Sequence, residues 1–186
     1  MTSTDAILYD TVDSPLGELL LAGDGDALTA VRMNGLSCPG WRRDPGSFRE
    51  AAEQLRSYFA GELREFDLAL DPRGTPFQRR VWAALREIPY GSTISYTELA
   101  AAVGRPGAHR AVGAANGRNP IAVVIPCHRV IGASGALTGY GGGLGRKRLL
   151  LDLEGGRRTW TLLGADGRPC ESSTPGTLGG HRRSRG

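Results

Sequence analysis

Short hydrophobic runs separated by turn-forming residues open the chain. Between Ala6 and Met33, ILYDTV, ELLLAG and ALTAVRM are divided by SPLG and DGD, a spacing that predicts three short strands in a β-meander. Residues 34–46, with Pro39, Gly40, Pro45 and Gly46, form a loop by composition. The period then becomes helical. Ser47 and Glu50 have capping-box spacing, Phe48, Ala51, Leu55 and Phe59 fall on one helical face, and Gly61 is a stop signal. Phe66 to Leu70 is expected to add a strand before the turn residues Asp71 to Gly74.

From Thr75 the pattern is that of helices. Thr75 and Gln78 make a second capping box with Pro76 at the first helical position, and Phe77, Val81, Ala84, Leu85 and Ile88 form the apolar face. Pro89-Tyr90-Gly91 ends this helix. Ser95 and Glu98 cap a third helix that runs to about Val103, Gly104 to Gly107 is a break, and Ala108 to about Asn116 is helical again. A helix, a short glycine-containing turn and a helix predict a helix-turn-helix. Beyond Gly155 the chain is rich in Gly, Arg, Ser and Pro without periodicity, so residues 156–186 are expected to be a disordered basic tail. The expected fold is therefore α+β: a small α/β domain over residues 1–74, then a mostly helical domain over 75–155.

Composition excludes some classes of function. The apolar run Ile121 to Ile125 is far too short to cross a bilayer, and a 40% hydrophobic content is ordinary for a soluble chain. The first twenty residues carry Asp5, Asp10, Asp13 and Glu18 but no Lys or Arg, which speaks against a secretory signal and for the cytoplasm. Charge is unevenly spread. Residues 1–74 hold 13 acids against 7 arginines, net −6, whereas residues 75–155 hold 10 bases against 4 acids, net +6. An anionic partner is expected on the second segment. Three cysteines, Cys38, Cys127 and Cys170, cannot pair completely, and none forms a Cys-x-x-Cys clamp.

Cys127 stands in VVIPCHRVI, next to His128 and Arg129. The Pro-Cys-His-Arg-Val signature, Pro126 to Val130, resembles that of the O6-alkylguanine-DNA alkyltransferases, also called methylated-DNA–protein-cysteine methyltransferases. The resemblance is close over about Thr75 to Gly155 and looser before it. It implies a ribonuclease H-like amino-terminal domain and a suicide DNA repair activity, in which the Cys127 thiolate takes an alkyl group from O6 of a damaged guanine in double-stranded DNA. A free thiol is mostly protonated at neutral pH, so it needs activation. The family supplies a chain of cysteine, water, histidine and glutamate, which here implies His128 and Glu154.

Further roles follow from the resemblance alone. Tyr96 matches the tyrosine that hydrogen-bonds the base at N3. Val130, Tyr140, Gly141 and Asn119 match the base pocket, with Tyr140 covering the base, glycine at 141 where many relatives carry serine, and Asn119 as a hinge. Arg110 matches an arginine finger that fills the gap left by the flipped nucleotide, and the small residues Ala111, Gly113, Ala114 and Ala115 suit close approach of its helix to DNA. No cofactor is implied. With only Cys38 and no histidine in residues 1–74, no metal is expected, and the protein is expected to act as a monomer with possible cooperativity on DNA. Cys127 argues against a lesion-binding relative with tryptophan at the nucleophile. The absence of an evident oxyanion loop argues against a cysteine hydrolase.

Overall fold

The computed structural model describes residues 7–156 apart from positions 34, 36 and 38. Cys38, Cys170 and the basic tail after Gly156 lie outside the described residues. Three strands, β1 (Leu8–Val12), β2 (Leu19–Gly23) and β3 (Leu28–Met33), form the expected antiparallel meander. A fourth, β4 (Arg42–Arg43), emerges from the stretch read as loop and pairs parallel with β1, giving the order β3-β2-β1-β4. All of β2 is buried because both faces of the sheet are covered. Leu19 and Leu21 face the main core, while Leu20 and Ala22 lie under Tyr9 and Trp41.

Helix α1 (Arg49–Ala60) follows, and here the local expectation fails. Ser47 is not the cap: Phe48 is, with no side-chain hydrogen bond. The Pro45-Gly46 turn wins, since carbonyls of Pro45 and Gly46 accept from the amides of Phe48 and Arg49, and Phe48 is drawn into the core. The strand expected over Phe66 to Leu70 reduces to one bridge between Leu28 and Leu70.

Helices α2 (Pro76–Arg86) and α3 (Tyr96–Ala102) both start at complete capping boxes, at Thr75 with Gln78 and at Ser95 with Glu98. Each box satisfies amides that a first turn leaves without partners. α4 (His109–Gly117) completes the helix-turn-helix. A single 3-10 turn at Cys127–Arg129 leads into the two-residue strand β6 (Val130–Ile131), which pairs parallel with β5 (Ile94–Ser95). The chain ends its described part in α5 (Leu144–Glu154), for which the hydrophobic pattern gave no sign. The reason is chemical: Arg146 and Lys147 are among its buried residues, so its inward face is not apolar.

One buried cluster extends from Leu19 and Leu21 through Leu55 and Tyr58 of α1 to Val81, Leu85, Leu99, Val112, Ile125 and Leu150. The sheet and the helices thus share a core. Strand β3 is the sheet's edge, and its open amides and carbonyls are used to dock the rest: Val31 accepts from Ala122 and donates to Pro120, at 3.1 and 2.9 Å. This pins the segment that carries Cys127. On the other side Trp82 of α2, 2% exposed, donates its indole N–H to the Ala115 carbonyl of α4 at 2.9 Å. Trp82→Phe should leave that carbonyl without its donor and open a small void. A loss of about 1 to 3 kcal/mol is expected in denaturant unfolding, and an unchanged midpoint would show that the indole does not brace α4.

Candidate active site

The segment before Cys127 is tightly folded. Asn119 donates its Nδ2 to the Ile125 carbonyl at 2.8 Å and accepts from the Ile121 amide at 3.0 Å, closing a loop of overlapping turns. Within it Val123 has a φ of 72°, the only positive value at a non-glycine among the described residues. A β-branched side chain in that region is strained, and such strain persists where the surroundings over-determine the backbone. Val123 is 1% exposed and is flanked by the Val124-to-Ala122 and Ile125-to-Ile121 amide bonds. The 3-10 turn then presents Cys127, His128 and Arg129 in succession, all buried.

Behind the thiol lies a carboxylate that collects donors from several elements. Glu154, the last residue of α5, accepts on Oε1 from Tyr58 (2.7 Å), from His128 Nε2 (3.0 Å) and from Arg129 Nη2 (2.8 Å). Its Oε2 accepts from Arg129 Nε (2.9 Å) and from the Gly91 amide (3.1 Å). The Arg129 contact is bidentate and charge-assisted, the strongest arrangement available to such a pair. Gly91 has a φ of 75°, and a Cβ there would meet the Glu154 carbonyl at 3.1 Å, so the tight approach needs glycine. Arg129 also donates to the Ile88 carbonyl at 2.5 Å and lies over the Tyr90 ring at 5.8 Å.

These contacts fix protonation. Burial would raise the Glu154 carboxyl, but hydrogen bonds from His128, Arg129 and Tyr58 overcome it and bring the group down to about 2. Glu154 is therefore an anion and accepts only. His128 must then donate from Nε2, and since burial holds the imidazole below its ordinary value against the pull of Glu154, the ring is neutral near pH 7. Nδ1 is left with a lone pair. Burial pushes the Cys127 thiol up, opposed in order by Asn119, the Lys147 charge, the backbone and Tyr140. The resting site is thus a protonated thiol beside a base.

Among the described residues the buried side-chain polar atoms without a protein partner are Asn116 Oδ1, His128 Nδ1 and the Tyr140 hydroxyl. All three belong to the surroundings of Cys127: Asn116 donates Nδ2 to the Cys127 carbonyl at 3.4 Å, and the Tyr140 phenol is held neutral by burial and by the neighbouring thiol. Orphan polar atoms are rare in folded proteins, and a group of them marks a place built to receive polar atoms from outside.

Two cavities adjoin here and share Gly117, Gly139, Tyr140 and Gly141. The first, about 620 Å³, has Cys127 in its wall, with Asn116, Asn119 and residues of β3. The second, about 530 Å³, is walled by Tyr96, Arg110, Gly113 and Thr138. Tyr96 donates weakly to the Thr138 or Gly139 carbonyl, each at 3.3 Å, and burial raises its phenol so that it keeps its proton. Gly141 is exposed, and a Cβ there would make only ordinary contact with the Gly117 carbonyl at 3.7 Å. Val130 is fully buried in β6 and lies in the wall of neither cavity; its carbonyl accepts from Lys147 Nζ at 2.6 Å.

On α4, Val112, Ala115 and Asn116 point inward, while Arg110, Ala111 and Ala114 are exposed, a face on which Arg110 is flanked by small side chains. Gly113 packs toward the Tyr96 ring, which a Cβ would reach at 3.7 Å. No group of three or more His, Cys, Asp or Glu that could hold a metal occurs among the described residues, and no helix there is long and apolar enough to cross a membrane.

The structure thus brings together Cys127, His128 and Glu154, which the sequence reading groups, and adds groups that hold them which that reading misses. Arg129 stood inside the signature and received no role. Tyr58 falls three residues after Leu55 on the predicted face, which marks it as buried, yet nothing local shows that its phenol reaches Glu154, 96 residues away. Lys147, fully buried and bonded to the Val130 and Thr138 carbonyls, received no role from the sequence either.

Comparison with known proteins agrees with this geometry. The family model described as 6-O-methylguanine DNA methyltransferase, ribonuclease-like domain, matches residues 7–72, and its DNA binding domain matches residues 76–156. The methylated-DNA–protein-cysteine methyltransferase of Mycobacterium tuberculosis H37Rv is 61% identical over 155 residues, 81% of this chain and 94% of that protein. That of Methanosarcina acetivorans is 55% identical over 152 residues, 79% of this chain and 97% of that protein. The crystal structure of Mycobacterium tuberculosis OGT in complex with DNA is similar with a TM-score of 0.77 and 62% identity, covering 81% of this chain and 94% of that one. With both family models matched in chain order, the chain belongs to the 6-O-methylguanine DNA methyltransferase family.

Proposed function

We propose that the protein repairs double-stranded DNA as a monomer by moving the alkyl group of an O6-alkylguanine irreversibly to Cys127, once per molecule, after the damaged nucleotide is flipped out of the duplex. The observation that carries this reading is a thiol in a cavity wall backed by a neutral imidazole on an anionic carboxylate, beside an exposed helix that bears Arg110. His128 Nδ1, the nitrogen that Glu154 leaves open, accepts the thiol proton, through a bridging water in the scheme the family resemblance implies. The thiolate attacks the alkyl carbon in line. A sulfur–carbon bond forms, the carbon–O6 bond breaks, and its electron pair stays on the guanine, which ends one proton richer. Tyr96, protonated and in the wall of the adjoining cavity, donates to the base in this reading.

A base within the duplex cannot reach the thiol, so flipping at a cost of a few kcal/mol precedes chemistry. The +6 balance of residues 75–155 supplies attraction to the phosphates. Arg110 fills the space of the displaced nucleotide. Incubation with a duplex carrying O6-methylguanine should add one methyl to Cys127 by intact-mass and peptide analysis, with none on Cys38 or Cys170, and product should stop at one equivalent per protein. Sustained turnover, or a methyl on Cys38, would overturn the reading.

Glu154→Gln should keep DNA affinity nearly intact while slowing transfer by roughly ten- to a hundredfold, since a neutral amide replaces the anionic acceptor that supports His128 as a base. With the carboxylate gone, the imidazole loses what lifts its affinity for protons, so the acid limb of the rate profile should move to lower pH. Stability follows the opposite sense: a carboxyl held near 2 in the folded chain stabilises above about pH 4.5, and that contribution fades as pH falls toward 2. The stability gap between wild type and variant should narrow over that window, and equal transfer rates across neutral pH would refute the relay.

Arg110→Ala separates flipping from general attraction. Its loss should tax the flipped state by about 1 to 3 kcal/mol, slowing duplex repair roughly ten- to a hundredfold. The free base O6-benzylguanine needs no flipping and should react at close to the wild-type rate. Equal slowing of both substrates would make Arg110 a support of the pocket rather than a finger.

A further inference from the structure

One oxygen of the Glu154 carboxylate is crowded. Oε1 accepts from Tyr58 at 2.7 Å, from Arg129 Nη2 at 2.8 Å and from His128 Nε2 at 3.0 Å, while Oε2 takes Arg129 Nε and the Gly91 amide. A carboxylate offers about two lone-pair sites on each oxygen, so the three donors on Oε1 compete. The imidazole, which the transfer step uses, has the longest of the three bonds. The phenol, which that step does not use, has the shortest. Tyr58 comes from α1, and its ring is fixed against Phe59, Phe66 and Tyr90 at centroid separations of 5.3, 5.2 and 6.0 Å, with the side chain fully buried. Burial, and after it the Glu154 charge, keep the phenol protonated, so it serves Glu154 as a donor.

We infer that Tyr58 is a positioning residue for the transfer: by occupying Oε1 it weakens the grip of Glu154 on the His128 N–H and so keeps the ring a neutral base. The inference rests on the alkyl-transfer reading given above. A histidine paired with a buried carboxylate and nothing else tends toward the imidazolium, which has no lone pair at Nδ1 with which to take the thiol proton. Each further donor on the carboxylate draws off negative charge that the imidazole would otherwise feel. Burial opposes the imidazolium first, and the Arg129 and Lys147 charges add to it. Tyr90 faces the same carboxylate from the turn after α2, with Arg64 over its ring at 5.7 Å. Among these groups Tyr58 can be altered without changing a charge: Tyr58→Phe takes away one neutral donor and keeps the ring that packs the core, whereas removing Arg129 would leave Glu154 without its countercharge.

The test follows single-turnover transfer from an O6-methylguanine duplex to Cys127 against pH in three full-length proteins. They are wild type, Tyr58→Phe, and a protein with 3-fluorotyrosine in place of Tyr58, whose phenol is a stronger acid and hence a stronger donor. The acid limb of the rate should move up by about half to one pH unit in Tyr58→Phe and down in the fluorinated protein. Below the limb Tyr58→Phe should then transfer about three- to tenfold more slowly than wild type, and above it the two rates should converge. The His128 ring titration, followed by NMR without DNA, should shift in the same order. A hydroxyl that only supports the fold would slow transfer evenly or lower stability, so a limb and a ring titration that stay in place in both altered proteins would overturn the inference. Wild type that leaves the methyl duplex unreacted would instead overturn the alkyl-transfer reading, and the ring titration would still decide whether Tyr58 sets the proton affinity of His128.

Discussion

Everything near the nucleophile depends on keeping one carboxylate charged in a place that disfavours charge. Glu154 is buried, and it ends a helix, where the macrodipole already concentrates negative potential. Either circumstance would favour the neutral acid. The balance is reversed by donors from α1, from the turn after α2 and from the 3-10 turn, with the bidentate guanidinium of Arg129 as the full countercharge. Because an uncompensated buried charge costs several kcal/mol, removing one donor destabilises far more than the pair as a whole stabilises. The network thereby fixes where α1, the Tyr90-Gly91 turn and α5 sit relative to Cys127. Its chemical output is modest in appearance: a single imidazole tautomer with a lone pair on Nδ1.

A second constraint is topological. The segment before Cys127 docks on the open edge of β3 through Val31, so the amino-terminal sheet serves as the anvil against which the active-site loop is formed. An exposed sheet edge is otherwise a liability for aggregation. Here Pro120 and Ala122 use it near one end and Ala69 and Asp71 near the other. The strained Val123 lies between Asn119 and Cys127, where the Asn119 amide and the edge contact together leave the backbone no cheaper path.

What could be read from the sequence, and what could not, divides along the range of the interactions. The capping boxes at Thr75 and Ser95 involve residues three apart, and both formed as expected. The same spacing at Ser47 failed because a proline-glycine turn, equally local, takes the Phe48 and Arg49 amides and shifts the cap to Phe48. Helix α5 escaped notice since its buried face carries Arg146 and Lys147, whose charges are satisfied by carbonyls of Leu16, Gly142, Val130 and Thr138. Periodicity sees polarity and cannot see a partner 130 residues away. Likewise the signature named Cys127 and His128 at once, while the roles of Tyr58, Gly91 and Arg129 depend on where distant elements bring them.

Burial raises the Cys127 thiol, although the reaction proposed for it needs the thiolate. A protein that reacts once is lost by any accidental alkylation or oxidation, and both proceed through the thiolate. Cys127 is 6% exposed, and burial keeps it protonated in the resting fold, so stray electrophiles meet an unreactive thiol. The countervailing groups are already in place, however: the Asn119 amide, the buried Lys147 ammonium, the Tyr140 hydroxyl without a fixed partner and the open Nδ1 of His128. In the proposed complex a bound base would displace solvent and could take up the orphan polar atoms, strengthening each of these interactions in a drier site. The same burial that disfavours the thiolate at rest protects the one equivalent that the proposed reaction would consume.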